Sequence, residues 1–450
     1  MLTRTGVVRA FPGFGVALHQ ACAILAALTV TMLCGCCGDS TPTPARDAFL
    51  YLTSSSIVGY RLDQDSGALT SIPGATQPGE FITTSASGVF LYAIDRAAKV
   101  LAYAVDPTTG ALSAIANSYS PRVLSFHLVA DPRGEFLYTL ESCENENPNP
   151  CSDFLRVFRV DKNTGAITGE APGSPFAVGY LSNNILVHPS GDFVYAPGIL
   201  AGEAIPQGIW GFRVDRTAGT LVPIPGSPFT GIQATQSNVG VFHPTLPFLY
   251  IAEYEGAIRT YRIDPPTGAL TSVARLQLPA FITGMDMDPF GRYVYTSVWK
   301  GAVRLLSVNA STGALSFTGG PTWPDSGYSF DGVYAHPSGR ILFASETDGG
   351  GDPDAKTLLR VLSIDGTRST LTDIAGSPLT VIGDCSPDLG GPARVRSLEN
   401  SRWTLVVPLT SSKLQRLNLS ADYTSVSALD PTDVPTLSYA VSYVRGGAAH

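Results

Sequence analysis

The sequence predicts an all-β fold, a β-propeller built from four-stranded antiparallel blades. Three recurring pieces predict it. An aromatic strand appears as Phe49-Leu50-Tyr51, Phe90-Leu91-Tyr92, Phe136-Leu137-Tyr138, Phe193-Val194-Tyr195, Phe248-Leu249-Tyr250, Tyr293-Val294-Tyr295 and Ile341-Leu342-Phe343, with a weaker copy at Trp403-Thr404-Leu405. A turn precedes it, as in Asp131-Pro132-Arg133-Gly134, His188-Pro189-Ser190-Gly191, Asp288-Pro289-Phe290-Gly291 and His336-Pro337-Ser338-Gly339. A tight hairpin follows it, as in Asp65-Ser66-Gly67-Ala68-Leu69, Thr109-Gly110-Ala111-Leu112, Asn163-Thr164-Gly165-Ala166-Ile167 and Ser311-Thr312-Gly313-Ala314-Leu315. The spacing runs from 41 residues (Phe49 to Phe90) to 62 (Ile341 to Trp403). A four-strand repeat of that length marks propeller blades. One blade cannot bury both faces of its sheet, so blades stack in a ring.

The clearest copy shows the elements in order. His243-Pro244-Thr245-Leu246-Pro247 is a turn, and Phe248 to Ile251 reads as a buried strand. Ile258 to Ile263 alternates as the next strand. Asp264-Pro265-Pro266-Thr267-Gly268 closes a hairpin, and Ala269 to Val273 is the last strand. Eight aromatic strands imply eight blades. The chain enters the ring at the second strand of the first blade. Its final apolar run, Leu437 to Val444, has no aromatic strand after it. It is expected to become the innermost strand of the first blade and to close the ring by pairing, which removes exposed sheet edges.

The domain organisation follows. Residues 1–36 read as an export signal, 37–47 as a Ser/Thr/Pro tether, 48–444 as one propeller and 445–450 as a tail. Arg4 and Arg9 give a positive start, and Ala21 to Leu33 is an apolar run too short for a comfortable membrane span. Leu33-Cys34-Gly35-Cys36 then resembles the bacterial lipobox, with Cys36 as the lipidated residue. Position 37 is Cys rather than Asp, so the inner-membrane retention signal is missing. A lipoprotein of the outer membrane, periplasm or cell surface is the expectation, with the membrane as a partner through its lipid anchor. The net charge of −8 and the lack of a basic patch argue against nucleic acid as a partner.

Seven cysteines are present, and four of them lie in or beside the signal. Cys143 and Cys151 flank one loop and would bridge it in an oxidising compartment. No Cys/His spacing fits a metal site. Asp348, Asp352 and Asp354 would offer oxygens to Ca²⁺, but not at EF-hand spacing, and a solvated loop is the plainer reading. No cofactor is expected. Long insertions at 142–153, 199–209 and 347–356 all fall between second and third strands, so they decorate one face of the ring. Loops on a rigid scaffold often bind partners. At the start of the innermost strands this face carries a polar ring: Glu80, His127, Asn183, Asn184, Asn238, Thr283, Asp331 and Arg394. Such a ring would hold a small polar ligand, or simply line a water-filled channel. His188, His243 and His336 repeat in the turns of the opposite face, where their expected role is to fix those turns.

The Phe-Leu-Tyr strand, the Tyr-x-Val-Asp strand and Thr-Gly-Ala-Leu-Thr together resemble the β-propeller lactonase family, which includes 6-phosphogluconolactonase-like and muconate-lactonising proteins. The resemblance spans nearly the whole chain after the tether. It implies a seven-bladed ring, against the eight counted here, and lactone hydrolysis. The family's Gly-Pro-Arg-His before a Phe-His-Pro turn falls on Gln236 to Pro244, where Asn238 and Val239 replace Arg and His. The family acid falls on Tyr254, between Glu253 and Glu255. The Pro-His-Pro-His element falls on Ser125-Phe126-His127, with His127 one position off its slot. One position turns a strand side chain to the other face unless a bulge intervenes. A lactonase needs a base for water and a cation for the oxyanion. His127, Arg394 and Glu253 are the candidate catalytic set, and Glu80, Asn183, Asn238 and Asp331 the candidate ligand-binding set. Two functions follow: an exported, lipid-anchored propeller with a degenerate lactonase site that binds a small polar ligand, glycan or protein, or an exported lactone hydrolase with a rearranged site.

Overall fold

The computed structural model describes residues 48–53, 56–119, 125–141, 153–179, 184–198, 208–230, 239–253, 256–298, 302–318, 328–348, 357–365, 370–381, 394–397, 403–407, 413–434 and 441–445. The expected signal and tether lie outside them.

Eight antiparallel sheets follow one another along the chain, numbered here as blades 1 to 8. Their inner strands are Val441–Arg445, Phe81–Thr84, Ser125–Ala130, Leu186–Val187, Gly240–Phe242, Ile282–Met287, Tyr328–Ala335 and Arg394–Ser397. The second strands carry the aromatic repeat: Ala48–Thr53, Phe90–Ile94, Phe136–Glu141, Phe193–Gly198, Phe248–Ala252, Tyr293–Val298, Ile341–Asp348 and Trp403–Val407. The third strands are Ile57–Leu62, Val100–Val105, Phe154–Val160, Gly208–Asp215, Ala257–Ile263, Ala302–Val308, Thr357–Asp365 and Lys413–Leu419. The outer strands are Leu69–Ser71, Leu112–Tyr119, Ile167–Glu170, Thr220–Pro223, Leu270–Gln277, Leu315–Phe317, Thr370–Asp373 and Val426–Ala428.

The four-stranded antiparallel plan holds in all eight blades, and the expected architecture needs correction on one point. Blades 3, 7 and 8 add Phe176–Ala177, Leu379–Val381 and Thr432–Asp433, each paired with the third strand. In blades 3 and 7 this is the outer edge broken by a Gly-Ser-Pro excursion. Proline offers no N–H to the ladder. The serine fills in: Ser174 Oγ accepts from Val157 N at 3.0 Å, and Ser377 Oγ from Val361 N at 2.9 Å. The point to correct is closure. Of the expected final run, Leu437 to Ala440 lie outside the described residues, and the pairing of Val441–Arg445 with Ala48–Thr53 completes a single blade. Each sheet is a separate hydrogen-bonded path, so strand pairing does not close the ring.

Side-chain packing closes it instead. Among the described residues eight buried apolar clusters each join two neighbouring blades, from blades 1 and 2 around to blades 8 and 1. The last seam joins Leu50 and Leu52 to Leu414 and Val434. There Arg416 Nη1 also donates to Gly67 O at 2.6 Å. One contact recurs between blades and explains two of the sequence repeats together. The hairpin glycine of one blade lies on the first aromatic ring of the blade before it. A Cβ on Gly110, Gly165, Gly268 or Gly313 would stand 2.7, 2.4, 2.4 or 2.5 Å from Phe49, Phe90, Phe193 or Phe248. Tyr51 and Tyr195 hydroxyls donate to Gly110 O and Gly268 O at 2.6 and 2.7 Å.

The turn histidines fix their turns, and His243 also reaches the next blade, with Nε2 3.0 Å from Gly291 O. His188 and His336 Nδ1 each lie 2.8 Å from a serine Oγ two residues on. His243 Nδ1 accepts from Leu246 N at 2.9 Å. Burial pulls the His336 pKa down from 6.5 to about 4. The unfolded chain therefore takes up this proton before the folded one does, and the stability tied to neutral His336 is complete above about pH 6.5 and lost as pH falls through about 4. Thermal unfolding should show this as a Tm that falls between those pH values. His336→Asn should flatten that slope, and an unchanged slope would place the acid sensitivity elsewhere.

Candidate functional site

The decorated face is the end at which inner strands start and second strands finish. Glu80 precedes the inner strand of blade 2, donates its N–H to Ile94 O at 2.7 Å, and pairs its carboxylate with Arg96. His127 is partly buried in the inner strand of blade 3. Asp331 lies within the inner strand of blade 7, and Arg394 begins that of blade 8, opposite Val407. Asn183 and Asn238 lie outside the described residues, as do Cys36, Cys143, Cys151, Asp352 and Asp354. Asp348 ends the second strand of blade 7. Among the described residues no three His, Cys, Asp or Glu side chains are grouped to hold a metal ion.

The inner strands of blades 3, 6 and 7 share a feature that pattern reading does not reveal. Their registers shift between Ser125 and His127, Ile282 and Gly284, and Phe330 and Gly332. In blade 3, Ser125 faces Glu141 while His127 faces Leu140, so residues 126 and 127 share one cross-strand position. A bulge of this kind bends the strand and re-aims its side chains. In blade 6 the bulge residue Thr283 donates to Ser297 Oγ at 3.0 Å. The bulges of blades 6 and 7 lie against each other. A Cβ on Gly284 would stand 2.9 Å from Gly332 Cα, and Asp286 Oδ2 accepts from Ala335 N at 2.8 Å.

Glu253 occupies a different setting. It is fully buried, and both carboxylate oxygens are engaged: Arg259 Nε donates to Oε1 at 2.5 Å and Arg275 Nε to Oε2 at 2.7 Å. Both arginines belong to blade 5 itself. The arrangement repeats in blades 3 and 7. Arg156 lies between Glu141 (2.5 Å) and Glu170 (2.6 Å), and Arg360 between Glu346 (2.8 Å) and Asp373 (2.9 Å). In each blade the glutamate stands sixth from the start of the aromatic repeat, and the arginine lies in the next strand opposite the fourth residue of that repeat. Sequence reading singled out Glu253 and missed its partners. Aligning the blades would have exposed them, because the Glu and Arg recur at fixed places in blades 3, 5 and 7. Both oxygens of the Glu253 carboxylate are thus taken up by arginines of its own blade, which is the setting of a structural ion pair.

The fold is an eight-bladed β-propeller of antiparallel sheets. Residues 46–141 match the family model described as Lactonase, 7-bladed beta-propeller. No curated protein matches the chain. Among solved structures, a provisional 6-phosphogluconolactonase of Bacteroides fragilis is 17% identical, covering 76% of this chain and 97% of its own, with a TM-score of 0.52. The periplasmic gluconolactonase PpgL of Pseudomonas aeruginosa is 15% identical, covering 89% and 99%, with a TM-score of 0.51. AztD of Citrobacter koseri is 12% identical, covering 90% and 100%, with a TM-score of 0.53. At such identities the likeness is one of fold, and a fold alone does not carry an activity.

Proposed function

We propose that the chain is an exported lactone hydrolase whose site is rearranged around His127. The observation that carries this reading is the blade 3 bulge. His127 stands one position off the family's histidine slot, and residues 126 and 127 share one cross-strand position, so a one-residue displacement at this bulge need not carry His127 away from the site. The family match over blades 1 to 3 supports the same chemistry. His127 takes a proton from water as the hydroxide equivalent attacks the lactone carbonyl. Arg394 stabilises the oxyanion, and ring opening leaves a hydroxy acid. Glu253 has no proton-transfer role here and serves as an ion-pair anchor for blade 5. Export rests on the charged start, the short apolar run and the Cys36 motif. The periplasmic location named for one structural neighbour agrees with it.

A second reading is favoured by one specific observation. Asn238 and Val239 stand where the family carries Arg and His, which suits a propeller that binds a polar ligand, glycan or protein without hydrolysing it. One experiment separates the two. The full chain is assayed on a lactone panel that includes 6-phosphogluconolactone and gluconolactone, beside His127→Ala. The hydrolase reading expects turnover that falls by about 10²-fold or more in the variant, the usual scale for losing a general base. Rates no faster than uncatalysed opening on every lactone would reject hydrolysis and leave the binding reading.

A further inference from the structure

Blade 6 breaks the charge pattern of its sister blades, and the break falls on Arg304. Arg304 lies opposite Thr296, the fourth residue of its aromatic repeat, which is the place held by Arg156, Arg259 and Arg360 in blades 3, 5 and 7. Each of those arginines bonds a buried glutamate at the sixth position of the aromatic repeat. In blade 6 that position is Val298. The outer-strand acid is also gone. Glu170 and Asp373 pair with Phe158 and Leu362, and the corresponding partner of Leu306 is Phe317. Both carboxylates that would neutralise Arg304 are thus replaced by apolar side chains.

Among the described residues Arg304 forms no ion pair, and its Nε is buried with no hydrogen-bond partner. It lies over the ring of Phe317 at 5.3 Å, and that ring is 51% exposed. A guanidinium stacked on an aromatic face keeps its edge available for two-point contact with a planar or tetrahedral anion. Burial draws its pKa below the ordinary guanidinium value. Directly across the strand, Thr296 is fully buried with Oγ1 unpartnered. Thr139 has the same orphan hydroxyl opposite Arg156, so the hydroxyl alone marks nothing; what sets blade 6 apart is the loss of both carboxylates. Leu306 and Val308, on the same face of the strand, pack against blade 5. Arg304 therefore faces the crevice between blades 5 and 6, near the decorated end of its strand.

We propose that Arg304 holds the carboxylate or phosphate group of a small molecule in this crevice, with the anion standing where the sister blades place their own carboxylates. The site does not depend on lactone hydrolysis, and failure of the His127 assay leaves it intact. The test titrates the full chain with inorganic phosphate and, separately, with gluconate, using calorimetry. Two variants accompany the wild type. Arg304→Gln removes the charge. Phe317→Asp keeps Arg304 and supplies in the chain the carboxylate that blade 7 has at Asp373; its exposed position spares the fold, and thermal melting checks this. The expectation is saturable binding of at least one probe, weakened about tenfold or more in both variants, as for loss of a charge-assisted hydrogen bond. Binding of phosphate alone would mark a phosphorylated ligand, and binding of gluconate a carboxylate. Lack of saturable binding of either probe to the wild type overturns the proposal. So does binding of equal strength in all three proteins.

Discussion

Gly165→Ala is expected to destabilise the propeller by about 3 kcal/mol or more, as the sum of two costs. The first is conformational. Gly165 has φ +70°, where a Cβ approaches the following carbonyl, at a cost of about 1–2 kcal/mol for a non-glycine residue. The second is steric. A Cβ there would lie 2.4 Å from Phe90 Cδ1, 2.6 Å from Cγ and 2.7 Å from Cε1. Phe90 is buried in the cluster that joins blades 2 and 3, so the ring cannot retreat without opening the interface. Overpacking of this sort adds about 1–3 kcal/mol. Gly219 is the control. It has a similar φ of +66°, but the nearest atom to its Cβ is the flexible Arg159 Cδ at 3.1 Å. Gly219→Ala should therefore carry the conformational cost alone. Urea unfolding of both variants decides the matter: equal losses would mean that the glycine-on-ring contact does not hold the blades together.

That contact also shows why the fold was so legible. The Phe of the aromatic strand and the Gly of the hairpin are each readable locally, one as a buried strand residue and the other as a positive-φ turn residue. They recur together because each blade presents both to its neighbours. The count of eight blades follows from the same repeat. The broken outer strands were less legible. Gly-Ser-Pro reads as the end of a strand, and only the pairing of Phe176–Ala177 with Leu155 and Phe154 shows the sheet resuming beyond it. The blade 3 bulge was hidden for a related reason. It is a property of register, set by whether Leu140 faces one residue or two. His127 was visible as a polar residue on an inner strand, whereas its shared position with residue 126 was not.

Glu253 is the instructive misreading, and it carries the second large effect. Proximity to the family's acid position made it a candidate catalytic group, but its partners lie 6 and 22 residues away on two other strands. Glu253→Gln should cost about 3 kcal/mol or more, because it leaves two guanidinium groups with no carboxylate between them. Arg259 and Arg275 are direct cross-strand neighbours, and like charges so placed repel. Their side chains are 17% and 33% exposed, so water offsets part of the penalty and the lower end of the range for a broken buried pair applies. Removing Arg275 as well, in Glu253→Gln/Arg275→Met, should recover part of the loss by relieving that repulsion. Thermal unfolding reads the stability, and the lactone assay on the folded fraction reads the chemistry. An anchor predicts a lower Tm with turnover per folded molecule retained. A catalytic base predicts the reverse, an unchanged Tm with turnover lost, and that result would return Glu253 to the active site.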